Sequence, residues 1–344
     1  MHKFSLFASL GSLFALTLAT LAQAQYQAPA GYELVPLVDS SDQPLAPEGL
    51  AVSPGGEMAV TNGDTVTLYN TWRNGRTVIG TATNSAWEYD TDPVFLNAST
   101  ILFGQNGTDA PAAADSLWSV NFSTASPTVT QVTVNNSLPD IEGVTILNPT
   151  HALVSGQNAS SGALYLDSVD LTETSGNVSS VVTGVGSGYP GNPAVSPGGH
   201  LVLLEADSSS GSSIAHLYTL AGQSYADDAL DNGNGYGAYG IAFDSAGIGY
   251  ITTGNTVTMV SGIDTASPTV SEFGTDDSYD QYLTSISFIG NGFVPGDAGD
   301  DGALIVNDGA GGGAFAIVVP EPASIGLIGG AVLLLAGRRR AVRQ

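Results

Sequence analysis

The chain has 344 residues and no cysteine, which excludes disulfides, thiolate metal sites and a cysteine nucleophile. Of its 32 acidic residues, 31 lie between residues 25 and 318, where the only basic residues are Arg73 and Arg76. This region therefore carries a formal charge of −29, which repels phosphate backbones and argues against nucleic-acid binding.

The first 24 residues have the three parts of a secretory signal peptide. A short basic start, Met1–Lys3, precedes an uncharged apolar run, and Ala22–Ala24 supplies the small-x-small pattern that signal peptidase accepts. We expect cleavage after Ala24, with an N-terminal membrane anchor as the alternative. The chain is thus predicted to be exported.

Short sequence words recur through the next 300 residues, and their spacing indicates a repeat. The offsets are 143, 141 and 94 residues, close to multiples of about 47. The recurring words are Ala51–Gly56 with Ala194–Gly199, Thr124–Val129 with Thr265–Val270, and Glu48-Gly49 with Glu142-Gly143.

Each repeat unit is predicted to be a four-stranded blade, because short apolar strands alternate with turns rich in Pro, Gly, Asn and Asp. Six such units fit the length, so residues 25–318 are predicted to form an all-β, six-bladed β-propeller. Seven blades or a pair of sandwiches are the alternatives. The strand Tyr32–Val38 is expected to complete the last blade and so remove exposed edges. The units open near Gly49, Asp92, Glu142, Asn192, Tyr239 and Leu283.

The Ser-Pro-Gly-Gly turn between paired strands resembles that of the NHL, YVTN and gluconolactonase-type propellers. In the gluconolactonase family, a Glu before a Gly, an Asn before a Ser-Pro-x-Gly turn and an Asp in the next blade bind a divalent metal. The resemblance implies Glu48 and Asn192 as ligands, and Glu142 occupies the same position in unit three. The third family position falls near Tyr239, so one carboxylate is missing. Oxygen ligands without thiolates favour Ca²⁺.

The C-terminus, residues 319–344, contains Pro320-Glu321-Pro322, then an uncharged segment at 325–337, then Arg338-Arg339-Arg340. The apolar segment would span only about 20 Å as a helix, too short for a comfortable membrane span. The order of motif, apolar helix and arginines resembles the PEP-CTERM sorting signal of Gram-negative bacteria. The resemblance implies recognition by an exosortase, transient membrane association and then delivery to the cell surface or medium. A plain C-terminal anchor is the alternative.

Two classes of function follow from these patterns. The first is a non-catalytic, acidic propeller at the surface or in an exopolysaccharide matrix, since no catalytic residue can be assigned and no G-x-S-x-G elbow is present. The alternative is a metal-dependent lactonase or esterase that uses the propeller channel.

Overall fold

The computed structural model describes a ring of antiparallel β-sheets within residues 26–318. The described part excludes residues 30–31, 40, 42–44, 46, 74–75, 86, 88–90, 106–114, 134–137, 139, 159, 174–176, 187, 208–211, 230–236, 245, 266, 277–282, 290–301 and 309–312. The predicted signal peptide, the Pro320–Pro322 motif, the segment 325–337 and Arg338–Arg340 lie outside it. Among the residues described, no helix is long and apolar enough to cross a membrane.

The sheets are six blades, as the repeat predicts. Blade 1 contains β3 (Gly49–Val52), β4 (Met58–Asn62), β5 (Thr65–Tyr69) and β6 (Val78–Thr83). Blade 2 contains β7 (Val94–Asn97), β8 (Thr100–Gln105), β9 (Ser116–Asn121) and β10 (Thr128–Gln131). Blade 3 contains β11 (Ile141–Asn148), β12 (His151–Gln157), β13 (Leu164–Asp170) and β14 (Asn177–Val185).

The remaining three blades each depart from this simple pattern. Blade 4 has a divided inner strand, β15 (Tyr189–Pro190) and β16 (Ala194–Val195), followed by β17 (Leu201–Asp207), β18 (Ser212–Tyr218) and β19 (Ser224–Ala229). Blade 5 contains β20 (Ala238–Phe243), β21 (Gly249–Thr253), β22 (Thr256–Ser261), β23 (Thr269–Asp276) and β1 (Tyr26–Gln27) at its edge. Blade 6 contains β24 (Leu283–Ile289), β25 (Ala303–Asp308), β26 (Gly313–Val318) and β2 (Glu33–Pro36).

The ring is closed by the N-terminal segment, as predicted for Tyr32–Val38. Strand β2 pairs antiparallel with β26, so that Glu33 lies opposite Val318 and Pro36 opposite Phe315. The inner strand of blade 6 also contacts the inner strand of blade 1. Strand β2, near the start of the described chain, and β26, at its end, therefore meet in blade 6, and β26 has a partner on both sides.

The hydrophobic core is divided into clusters that lie between neighbouring blades. Each of the six seams of the ring holds one cluster, such as Trp87 and Phe103 between blades 1 and 2, or Leu204 and Ile251 between blades 4 and 5. Trp87 and Phe103 pack edge to face with centroids 4.9 Å apart. Burying one such large apolar side chain stabilises the fold by roughly 1.5–3 kcal/mol, so apolar packing contributes at every seam of the ring.

Blades 4 and 5 are also joined by a polar contact at their outer turns. The Asp264 carboxylate accepts hydrogen bonds from the Ser196 hydroxyl, from the Gly198 amide at 2.7 Å and from His200 Nδ1 at 2.7 Å. The Tyr225 ring stacks on His200 with centroids 3.9 Å apart. In blade 1 the equivalent turn is local, because Ser53 donates to Glu57 of the same hairpin.

Candidate functional site

The innermost strands of the six blades enclose a channel that contains a cavity of about 270 Å³. Its lining combines apolar side chains with polar ones, and three of the polar side chains meet each other: Asp92, Asn192 and Ser285. They come from blades 2, 4 and 6. The apolar lining is formed by Leu50, Val52, Val94, Val144, Ile241, Phe243, Ile286 and Phe288.

Local backbone geometry brings Asp92 and Asn192 to the channel wall. Each directly precedes a proline, Pro93 or Pro193, which restricts it to extended conformations and removes the next ladder donor. In blade 4 the inner strand is interrupted at this point. The backbone N–H of Asn192 donates a hydrogen bond to the Tyr239 carbonyl of blade 5 at 2.7 Å. Asn192 is thereby turned out of the ladder of its own blade.

Glycines in blades 1, 3 and 5 leave the space that these residues occupy. A Cβ on Gly143 would lie 2.6 Å from Asn192 Cα, and one on Gly49 would lie 2.9 Å from Pro93 Cδ. A Cβ on Gly240 would lie 2.9 Å from the Thr284 carbonyl oxygen, next to Ser285. Each glycine thus admits the polar residue of the following blade.

The Asp92 carboxyl is the charged centre of the site. Protein surrounds it deep in the ring, although part of the residue faces the cavity. This burial raises the pKa of Asp92 to about 6, against the opposing effects of Ser285, Asn192 and the Leu50 backbone N–H. Asn192 Nδ2 donates a hydrogen bond directly to Asp92 Oδ2. A carboxyl group with this pKa exchanges its proton near neutral pH, as general acids and bases do.

Two further polar atoms lie beside the Asp92 carboxyl. Asn192 Oδ1 and Ser285 Oγ are buried and have no hydrogen-bond partner among the described residues. The Ser285 hydroxyl lies close enough to lower the pKa of Asp92 but does not meet hydrogen-bonding geometry. Since buried polar groups are nearly always paired, two unpaired atoms next to Asp92 make this point of the channel unusual. With Asp92, these atoms bring together one amide oxygen, one hydroxyl and one titratable carboxyl.

The predicted ligand residues Glu48, Glu142 and Asn192 occupy different surroundings. Asn192 lines the cavity, whereas Glu48 and Glu142 do not belong to its lining. Glu48 is exposed, and its carboxylate accepts the Gly63 amide at 2.7 Å in the β4–β5 hairpin. Glu48 therefore stabilises a turn of its own blade.

Glu142 is half-buried in blade 3, in an acidic region around the Tyr165 hydroxyl. Burial is the main cause of the raised pKa of Tyr165, and nearby carboxylates raise it further. These are Asp167, Asp115, Asp140 and Glu142. The negative charge of Glu142 thus contributes to the raised pKa of Tyr165 in its own blade.

The cavity lining offers few of the oxygen ligands that the predicted Ca²⁺ ion would require. Calcium takes six to eight oxygen ligands, commonly from several carboxylates. Asp92 is the only carboxylate of the cavity lining, and the described residues contain no group of three or more His, Asp or Glu side chains placed to share a metal. These side chains fit an uncharged polar ligand better than a divalent cation. A metal at Glu48, Glu142 and Asn192 stays a prediction, which Ca²⁺ titration of the wild-type protein and Asn192→Ala would test.

The sequence patterns identified Asn192 but not Asp92 or Ser285. A signal for Asp92 was present, because Asp92-Pro93 opens unit two as Asn192-Pro193 opens unit four. The predicted metal ligands were based on Glu-Gly pairs and an Asn before a Ser-Pro-x-Gly turn, and Asp92-Pro93 matches neither pattern. Ser285 has no such signal, since it is one serine in an ordinary apolar strand.

Comparison with known proteins identifies the fold. No protein-family model matches the chain, and no curated protein matches its sequence. A gluconolactonase from Xanthomonas campestris is similar in structure, with a TM-score of 0.57, 10% identity, and coverage of 88% of this chain and 93% of that chain. The soluble aldose sugar dehydrogenase from Escherichia coli has a TM-score of 0.56 and 14% identity, and the match covers 84% of this chain and 99% of that chain. Virginiamycin B lyase from Staphylococcus aureus has a TM-score of 0.52 and 12% identity, and the match covers 84% of this chain and 99% of that chain.

These identities support a likeness of fold alone. The predicted resemblance to gluconolactonase-type propellers is confirmed at that level. The chain is a six-bladed β-propeller whose structural neighbours include a gluconolactonase, a lyase and a sugar dehydrogenase.

Proposed function

We propose that the channel binds a small uncharged molecule and hydrolyses a lactone or ester bond in it. The observation that carries this proposal is the meeting of Asp92, Asn192 and Ser285 from three blades in a cavity that also has apolar lining residues. Such a combination of apolar walls and a few convergent polar groups is typical of small-molecule sites. A cavity of about 270 Å³ suits a compact substrate. The likeness to gluconolactonases supports this function over a purely structural propeller.

In the proposed reaction Asp92 acts as the general base. Its carboxylate takes a proton from a water molecule whose oxygen attacks the acyl carbon, and the proton then passes to the leaving oxygen as the acyl–oxygen bond breaks. Asn192 Nδ2 holds the carboxylate in place, and the adjacent Ser285 hydroxyl favours the ionised form of Asp92. No step is assigned to a metal ion.

The test is hydrolysis by the purified protein of a panel of aldonolactones, simple γ- and δ-lactones and p-nitrophenyl esters. Asp92→Asn keeps the shape of the side chain but removes the base, so we expect kcat to fall by about 10²-fold or more. Glu272→Gln, which neutralises an exposed acid on blade 5, is the matched control and should retain activity. A lack of hydrolysis by the wild-type protein, or full activity in Asp92→Asn, would contradict the proposal and favour the surface-module alternative.

We also propose that the protein reaches this function after export and exosortase processing. The support is the order of signal peptide, Pro320-Glu321-Pro322, apolar segment and Arg338–Arg340 in one chain. Mass spectrometry of the protein recovered from an exosortase-carrying host should find Gln25 at the N-terminus and the arginine cluster removed. Recovery of the intact 344-residue chain from the cytoplasm would contradict it.

A further inference from the structure

A second cavity, of about 610 Å³, lies beside blade 1 and shares no lining residue with the channel. One wall is formed by Asp39, Leu45 and Pro47, the described lining residues between β2 and β3, and the other by β4 and β5. The lining residues are Asp39, Leu45, Pro47, Val60, Asn62, Thr65, Thr67 and Tyr69. This volume is within the range of about 300–1,000 Å³ that small-molecule sites occupy.

Leu37, Leu45 and Pro47, which the structure describes on this side of the cavity, are fixed to blade 6 by hydrogen bonds of their backbone. The Leu37 amide donates to the Ala314 carbonyl at 2.8 Å, and the Ala314 amide donates to the Leu45 carbonyl at 2.9 Å. The fully buried Asn307 of β25 donates through Nδ2 to the Pro47 carbonyl at 3.0 Å. This wall of the cavity is therefore formed before any ligand arrives.

The rim of the cavity is held by Glu48, the residue that the sequence predicted as a metal ligand. Its carboxylate accepts the Gly63 amide, which lies at the tip of the β4–β5 hairpin. Asn62 and Thr65 flank this tip and pair with each other in the ladder. Glu48 thus fixes the hairpin that carries two lining residues.

The polar groups of the cavity are mainly uncharged. Thr65, Thr67 and Tyr69 occupy alternate positions of β5 and so present their hydroxyls on one face. Asn62 adds an amide and Asp39 a carboxylate, while Leu45, Pro47 and Val60 provide an apolar surface.

Two charged side chains near the cavity, Asp39 and Arg76, have opposite effects on the Tyr69 hydroxyl. Burial and the Asp39 carboxylate raise the pKa of Tyr69, whereas the Arg76 guanidinium lowers it. The charges of Asp39 and Arg76 therefore shift the pKa of the Tyr69 hydroxyl in opposite directions. An anionic ligand would also meet the acidic field of the whole propeller, and a cationic ligand would find only one carboxylate in the lining.

We propose that this cavity is a binding site for a neutral saccharide of one or two rings. Hydroxyl, amide and carboxylate groups match the donors and acceptors of sugar hydroxyls, and the apolar patch matches the C–H face of a sugar ring. The site is independent of the hydrolytic function proposed for the channel.

The probes are D-glucose, D-galactose, maltose and cellobiose, and binding is measured on the purified protein by saturation-transfer NMR and calorimetry. At least one sugar should bind to the wild type. Thr67→Val removes one lining hydroxyl at nearly constant shape and should weaken that binding about fivefold. Thr81→Val is the matched control, because Thr81 Oγ1 pairs with Thr67 Oγ1 at 3.3 Å but lies outside the lining. Circular dichroism confirms that each variant is folded.

Asp92→Asn separates this site from the channel, and it should leave sugar binding unchanged. Three results would overturn the proposal. One is a lack of binding by all four sugars at about 20 mM. Another is equal weakening by Thr67→Val and Thr81→Val. The third is loss of binding in Asp92→Asn with full binding in Thr67→Val.

Discussion

At the scale of single residues, the Asp92 carboxyl stands out because its pKa is raised by burial. A carboxyl group is ordinarily ionised well below neutral pH, but burial in the ring raises the pKa of Asp92 to about 6. The folded state therefore holds this proton more tightly than the unfolded chain does. Stability linked to Asp92 is greatest below about pH 4 and declines as the pH rises to about 6.

Asp92→Asn should remove this pH dependence, because the amide cannot ionise. Relative to wild type, the variant should gain up to about 3 kcal/mol in free energy of unfolding between pH 4 and pH 8. Urea denaturation at each pH unit measures the difference, and Glu272→Gln should leave the wild-type slope unchanged. Parallel curves for Asp92→Asn and wild type would show that Asp92 titrates normally.

Gly143 gives a second prediction at this scale. An added Cβ at this position would press on Asn192 Cα, so Gly143→Ala should cost about 1–3 kcal/mol and displace the amide from Asp92. Lactone hydrolysis should fall with stability. Gly274→Ala is the control, because its Cβ would instead meet Tyr26 at the edge of blade 5. Melting temperature and kcat measured together distinguish the two, and equal activity in both variants would contradict a positioning role for Gly143.

The sequence located only part of the site, for a reason that lies in side-chain direction. Adjacent residues of a strand point to opposite sides. A shift of one position therefore decides whether a side chain faces the channel. Asn192 lines the cavity, whereas Glu48, one residue before Gly49, turns to its own hairpin. The contacts of Asp92 with Asn192, 100 residues away, depend on the curvature of the ring.

At the scale of strands and blades, the local patterns were sufficient. Apolar runs bounded by Pro, Gly and Asn placed the opening of every unit within a few residues of the observed inner strand, because these turn residues act locally. The two-residue strand β1 and the break in blade 4 were not predicted. Tyr26–Gln27 carries no periodicity, and its place on β23 is decided by tertiary packing of Tyr26 against Phe315.

The contact between blades 4 and 5 allows a test at this scale. Partial burial raises the pKa of Asp264, but hydrogen bonds from Ser196, His200 and Gly198 outweigh it and hold the pKa below its ordinary value. The stabilisation is therefore present above the unfolded-state pKa and is lost as the pH falls through the lower, folded-state pKa.

Asp264→Asn should reduce the free energy of unfolding by about 1–2 kcal/mol at pH 7 and by much less near pH 3. Glu57→Gln changes the equivalent turn of blade 1, where the contact is within one hairpin, and should have a smaller effect. Chemical denaturation at both pH values measures the two variants. An equal loss at pH 3 and pH 7 for Asp264→Asn would indicate a packing effect.

At the scale of the whole molecule, stability depends on closure of the ring. The period of about 47 residues predicted six blades, and the N-terminal strand completes the sixth as expected. Without β2, strand β26 would present an open edge. Deletion of residues 25–36 should therefore lower the melting temperature by more than deletion of residues 25–27, which removes β1 alone. Equal melting temperatures would contradict a closing role for β2.

The central claim is that Asp92 acts as a base in the channel, and the pH dependence of kcat/KM for the best lactone substrate tests it most directly. The wild-type rate should rise with pH through an apparent pKa near 6, because the carboxylate is the active form. Asn192→Ala removes a hydrogen bond that favours the carboxylate, so the rising limb should move to higher pH. A rate that is independent of pH between 5 and 8, or a limb that Asn192→Ala leaves in place, would contradict the claim.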